Sequence, residues 1–101
     1  MTMIPKFAYV QDTRNALLRT TIDFFVKAIS DVLRTSKNIT DDVICIEINI
    51  PENLRGQGLE FRKSVIDGIT QEFVAEGWTP HIEFISSSQF DPFLRFAQKF
   101  V

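Results

Sequence analysis

The sequence has little from which to build a reactive centre. It contains one cysteine, one histidine, one tyrosine and one tryptophan in 101 residues. With Cys45 alone, no intramolecular disulfide can form, and a single thiol suits a reducing compartment, so the cytoplasm is the expected location. No spaced set of histidines and cysteines exists to hold a metal, and no motif implies a cofactor. No apolar run approaches the roughly 18 residues that a membrane span needs. The first residues show no charged leader ahead of an apolar core, so no signal peptide is expected.

Strong charge of one sign is also missing. The net charge is −2, and it is unevenly spread: residues 1–37 carry six basic and three acidic groups, whereas residues 38–54 carry four acidic groups and no basic one. Residues 55–77 hold three basic and four acidic groups, and residues 78–101 two of each. Nothing here concentrates the positive charge with which a nucleic-acid binder neutralises phosphates, and that class is disfavoured. Hydrophobic residues make up 45% of the chain, ample for one folded domain spanning residues 1–101. The aromatic set is skewed to ten phenylalanines. A ring without a polar handle belongs in a core or an interface.

The clearest pattern lies in residues 43–86. Ile44, Ile46, Ile48 and Ile50 alternate with Val43, Cys45, Glu47 and Asn49, which is the period-two pattern of a strand covered on one face. Ile82 and Phe84 repeat it, with His81 and Glu83 on the other face. Between them Leu59, Phe61, Val65, Ile66, Ile69 and Phe73 recur at helical spacing. Gly77 is placed to take a left-handed conformation and end that helix, with Trp78 folding back on Phe73 and Pro80 barring continuation. A strand, a helix and a second strand favour a parallel pair joined by a right-handed crossover.

Before this unit, residues 6–10 suit a short strand or an extended arm. Asp12 or Thr13 is a plausible cap for a helix running to about Thr35. Its stripe of Leu18, Ile22, Phe25, Ile29, Val32 and Leu33 is widened by Leu17, Phe24 and Ala28, as if a further surface or another subunit meets it. Residues 36–42 form a polar loop. After residues 86–89, Asp91 followed by Pro92 resembles a cap with proline in the first turn of a final helix, whose buried stripe is Phe93, Phe96, Ala97 and Phe100.

Two places could carry function. The first is the segment Arg55, Gly56, Gln57, Gly58 at the start of the middle helix, with Arg62 nearby. Glycines permit close backbone approach, and free amides there favour an anion. Arg55, Gly56, Gly58 and Leu59 resemble part of the acyl-CoA loop of the GNAT acetyltransferase family. The resemblance implies a pyrophosphate held by the backbone amides of this turn, although Glu60 stands where that family normally has glycine or alanine. A nucleotide or acyl-CoA is therefore the alternative ligand. The second place is the outer sheet face, comprising Val43, Cys45, Glu47, His81, Glu83 and Ile85. Its polar members can be drawn as a metal site or an acid–base pair. The simpler reading is a solvated or partner-facing surface.

The expected fold is α/β bordering on α+β, in two layers, with a small sheet of two or three strands, a strand–helix–strand crossover and about three helices. The expected role is that of a non-enzymatic interaction or regulatory protein, a homodimer in the first instance, that binds a protein partner or itself. A sheet this small with one open face needs cover.

Overall fold

The computed structural model describes residues 6–35, 42–56 and 58–100. In chain order these form α1 (Lys6–Thr35), β1 (Val43–Asn49), a short 3-10 turn (Glu52–Leu54), α2 (Leu59–Ala75), β2 (His81–Ser87) and β3 (Phe90–Lys99). The architecture is mixed α and β: two α-helices and one three-stranded antiparallel sheet of order β1-β3-β2.

Three expectations are corrected. The segment expected to be a final helix is β3, the central strand, so there are two helices rather than about three. Residues 90–99 fit both periods. Strand geometry places Leu94 and Phe96 in the core at 0% exposure, on the same face as Gln98. A helix would have paired Phe96 with Phe93 and Phe100 instead. As a result β1 and β2 do not pair directly. Each is antiparallel to β3, so they run the same way on either side of it. The third correction concerns residues 6–10, which are the first turns of α1 rather than a strand or arm, leaving Asp12 and Thr13 inside the helix. Proline is compatible with a helix's first turn, so Pro5 is no bar to a helix from Lys6. The polar loop at 36–41 and Gln57 lie outside the described residues.

Alternation decides the sheet faces. Ile46, Ile50, Ile82, Leu94 and Phe96 point to the helices and join Ile22, Phe25, Ile29, Val65, Ile69 and Phe73 in one buried cluster. Each side chain buried this fully contributes roughly 1.5–3 kcal/mol. The helix stop forms as its sequence implies. Gly77 has φ +90°, its N–H bonds the Val74 carbonyl at 3.0 Å, and the Trp78 N–H bonds the Phe73 carbonyl at 3.0 Å. The Trp78 ring then packs edge-on against Phe73, centroids 6.0 Å apart, and against Phe96 at 6.1 Å. Gln98, buried at 7% exposure, is satisfied in turn: its Oε1 accepts from the Thr79 N–H at 2.8 Å, and its Nε2 donates to the Lys99 carbonyl at 2.6 Å.

The helix α1 outruns this core. Thirty residues span about 45 Å, and among its described side chains the first buried one is Thr21, with Leu17 and Leu18 half-buried. The radius of gyration is accordingly 16.0 Å, against about 13 Å for a compact chain of this length. Among the described residues no helix is long and apolar enough to cross a membrane.

The two helices meet at Gly68, where an added Cβ would fall on the Ile22 side chain, within 2.9 Å of its Cγ1. Alanine gains about 1 kcal/mol of helix propensity over glycine, but overpacking a filled site costs about 1–3 kcal/mol. Gly68→Ala is expected to lose up to about 2 kcal/mol in urea unfolding. Adding Ile22→Val, which removes the nearest atom, should recover part of that, with a coupling of at least about 0.5 kcal/mol. Strictly additive single effects would refute the close approach.

Candidate functional site

The uncovered sheet face gathers all six residues that the sequence placed there. Val43, Cys45 and Glu47 come from β1, and His81, Glu83 and Ile85 from β2. Between them β3 contributes Phe93, Arg95, Ala97 and Lys99, which reading 90–99 as a helix had hidden. The registers align these in rows: Cys45–Ala97–His81, Glu47–Arg95–Glu83 and Asn49–Phe93–Ile85. The middle row is a charged one. The Arg95 guanidinium lies 3.5 Å from the Glu47 carboxylate and 3.7 Å from that of Glu83, and it sits 5.6 Å from the centre of the Phe93 ring. His81 Nε2 is 3.9 Å from Glu83. Arg95 is thus held between two acids with an aromatic ring below it, while its Nε has no hydrogen-bond partner.

The same rows bear on the metal reading. Cys45 and His81 sit on the two outer strands with Ala97 between them, two strand spacings or about 10 Å apart. Among the described residues no group of three His, Cys, Asp or Glu side chains could hold a metal ion.

The second region lies at the opposite end of the sheet from the helix stop. Arg55 has a structural task there that depends on Pro92. In the β1–β3 ladder, Ile50 and Pro92 are partners, and the Ile50 N–H bonds the Pro92 carbonyl at 3.1 Å. Proline has no N–H to return, so the Ile50 carbonyl would be left without a donor. Arg55 Nε supplies one at 2.9 Å, and its NH1 rests 3.8 Å from Asp91. Gly56 takes φ +79°, a left-handed turn that favours glycine. Gly58 is the N-cap of α2, and no side chain caps the helix.

Beside this turn is a cavity of about 110 Å³, lined largely by Phe25, Leu54, Phe61, Val65, Phe84 and Pro92. Its polar members are Arg55, Arg62, Thr21 and Ser86, and the Gly56 turn also borders it. The sequence indicated the arginines and the glycine but not the cavity, whose lining is drawn from both helices, the 3-10 turn, β2 and β3.

In comparison with known proteins, no family model, no curated protein and no solved structure matches the chain at a significant level. The likeness to the acyl-CoA loop is confined to the residues of that turn.

The two arginines should differ on truncation. Arg95 is 38% exposed and its ion pairs are long, and such pairs contribute about 0–1 kcal/mol. Arg95→Met is therefore expected to change stability by less than about 1 kcal/mol. Arg55→Met removes the side-chain donor to the Ile50 carbonyl and should cost about 1–3 kcal/mol. Thermal or urea unfolding of both variants decides this, and equal effects would remove the assigned role of Arg55.

Proposed function

We propose that this protein is a small non-enzymatic interaction module that acts as a homodimer built through the edge of β1. The observation that carries this reading is the state of that edge. Phe100 donates to the Asp42 carbonyl and Ile50 to that of Pro92, so the alternation of an antiparallel ladder directs the even-numbered β1 residues at β3. The main-chain groups of Val43, Cys45, Glu47 and Asn49 point the other way, and among the described residues no strand lies on that side.

Edges are normally protected by proline, lysine or a bulge. The β2 edge has an irregularity between Ile85 and Ser87. Along β1 there is none of these, only Glu47 among β-branched and small residues. A second copy pairing antiparallel about Ile46 sets Cys45 beside Glu47 of the other copy and Val43 beside Asn49. No like charges then stand opposite, and about eight main-chain hydrogen bonds form. Helix α1 supports the same interface. It packs against α2 through Ile22, and Phe24, 41% exposed, lies about 160° round the helix on the flank turned away from α2.

Pairing two edges would give a six-stranded sheet with one continuous uncovered face. That face carries two Glu47–Arg95–Glu83 rows, each flanked by apolar and aromatic residues. Arginine and aromatic side chains on a partly apolar ground suit recognition of a protein partner. The lone Cys45, exposed on this face, is compatible with a reducing compartment, and the cytoplasm is the location this reading favours. A nucleotide or acyl-CoA at residues 55–58 is less well supported. Arg55 is engaged with Ile50 and Asp91, and the adjoining cavity falls below the roughly 300 Å³ at which ordinary ligand pockets begin.

Light scattering at tens of micromolar should give twice the chain mass of 11.6 kDa. The Cys45 N–H faces outward, so Cys45→Pro leaves the β3 ladder intact while blocking the edge, and it should yield a folded monomer. Cys45→Lys gives an independent version of the same test. A monomeric parent protein sinks the proposal, and dimeric variants would move the interface away from β1.

A further inference from the structure

We infer that the cavity beside residues 54–62 is a binding site for a small amphipathic anion, a carboxylate carrying an apolar group of about four to six carbons. The site is separate from the β1 edge and does not depend on dimer formation.

Three observations converge on this ligand class. The first is volume. At about 110 Å³ the space is somewhat smaller than the 150 Å³ at which an apolar cavity is known to stay dry and admit benzene. A branched short chain or one ring, entering part-way, fills it, whereas a sugar or a nucleotide does not fit. The second is lining. Phe25, Phe61, Val65 and Phe84 supply apolar walls, the Thr21 Oγ1 already donates to the Leu17 carbonyl at 2.7 Å, and the other hydroxyl in the wall is that of the exposed Ser86.

The third observation is Arg62. It lines the cavity and is only partly exposed. Among the described residues no ion pair and no side-chain hydrogen bond engages its guanidinium. The neighbouring Arg55 is different, being held by the Ile50 carbonyl and Asp91. A partly exposed arginine lacking a counter-charge at the wall of a mainly apolar space is the complement of an anion whose remainder is apolar. The planar fork of arginine favours a carboxylate, which it can grip through two parallel hydrogen bonds. In this arrangement Arg62 holds the head while the tail lies between Phe61, Val65 and Phe84.

The test uses isovalerate and benzoate against two controls at equal ionic strength: isoamyl alcohol, which has the tail without the charge, and inorganic phosphate, which has charge without the tail. Both carboxylates at about 10 mM should raise the Tm by a few degrees, corresponding to dissociation constants of about millimolar or below. Neither control should match them. Arg62→Gln should weaken carboxylate binding at least tenfold with the fold intact. Val65→Phe, which fills the space, should abolish it. If Val65→Phe does not fold, amide shifts in the parent protein provide the localisation and should cluster at Phe61, Val65 and Phe84. Four results overturn the inference: no carboxylate effect, an equal effect of the alcohol, an equal effect of phosphate, or carboxylate binding unaltered in Arg62→Gln. Shifts confined to other parts of the chain also overturn it.

Discussion

Among the described residues neither outer strand has a sheet partner other than β3. β1 and β2 are separated by it, and both ladders are made entirely to its two sides. The strand also carries the centre of the core, since Leu94 and Phe96 are wholly buried and the Phe96 ring meets both Phe73 and Trp78. The last element in chain order therefore holds together the two strands, the end of α2 and the floor beneath both helices.

A central strand is a poor place for a proline or a buried glutamine, and β3 has both. Each is accommodated locally. Pro92 sits near the start of the strand, where the donor it lacks is replaced by Arg55. Gln98 lies near the other end, where its amide closes on Thr79 and the Lys99 carbonyl. The two irregularities thus become ties. One anchors the turn before α2 to the sheet, and the other anchors the entry to β2. Between them the strand is regular, and its outward residues are free to form the Phe93, Arg95 and Ala97 column of the open face.

What could be read from the sequence follows this division between local and distant causes. The alternation of Ile44 to Ile50, the stripe of α2 and the stop at Gly77 and Trp78 are decided within a few residues of themselves, and each is found in the structure. The open face was legible on its outer strands for the same reason. Its centre was not, because Phe93, Phe96, Ala97 and Phe100 satisfy a helical period, Asp91 and Pro92 imitate a helix start, and Gln98 spoils the alternation that would have revealed a strand. Arg55 was legible as a charge near glycines. Its task depends on a proline far along the chain, which spacing alone does not disclose. The cavity beside it was still less accessible, since both helices, the 3-10 turn and two of the three strands contribute to its wall.

The central position of the last strand also bears on how the chain comes into being. A ribosome delivers α1, β1, α2 and β2 before any residue of β3 exists. Until then the isoleucine row of β1 has a helix to lie against but no hydrogen-bonding neighbour, and two open edges rather than one. The nascent chain thus passes through a stage in which a β-branched segment of seven residues lacks its intended neighbour, the condition under which strands join wrong chains. Slow decoding just before residue 90 would prolong that exposure, and a chaperone that shields β1 for those seconds would shorten it.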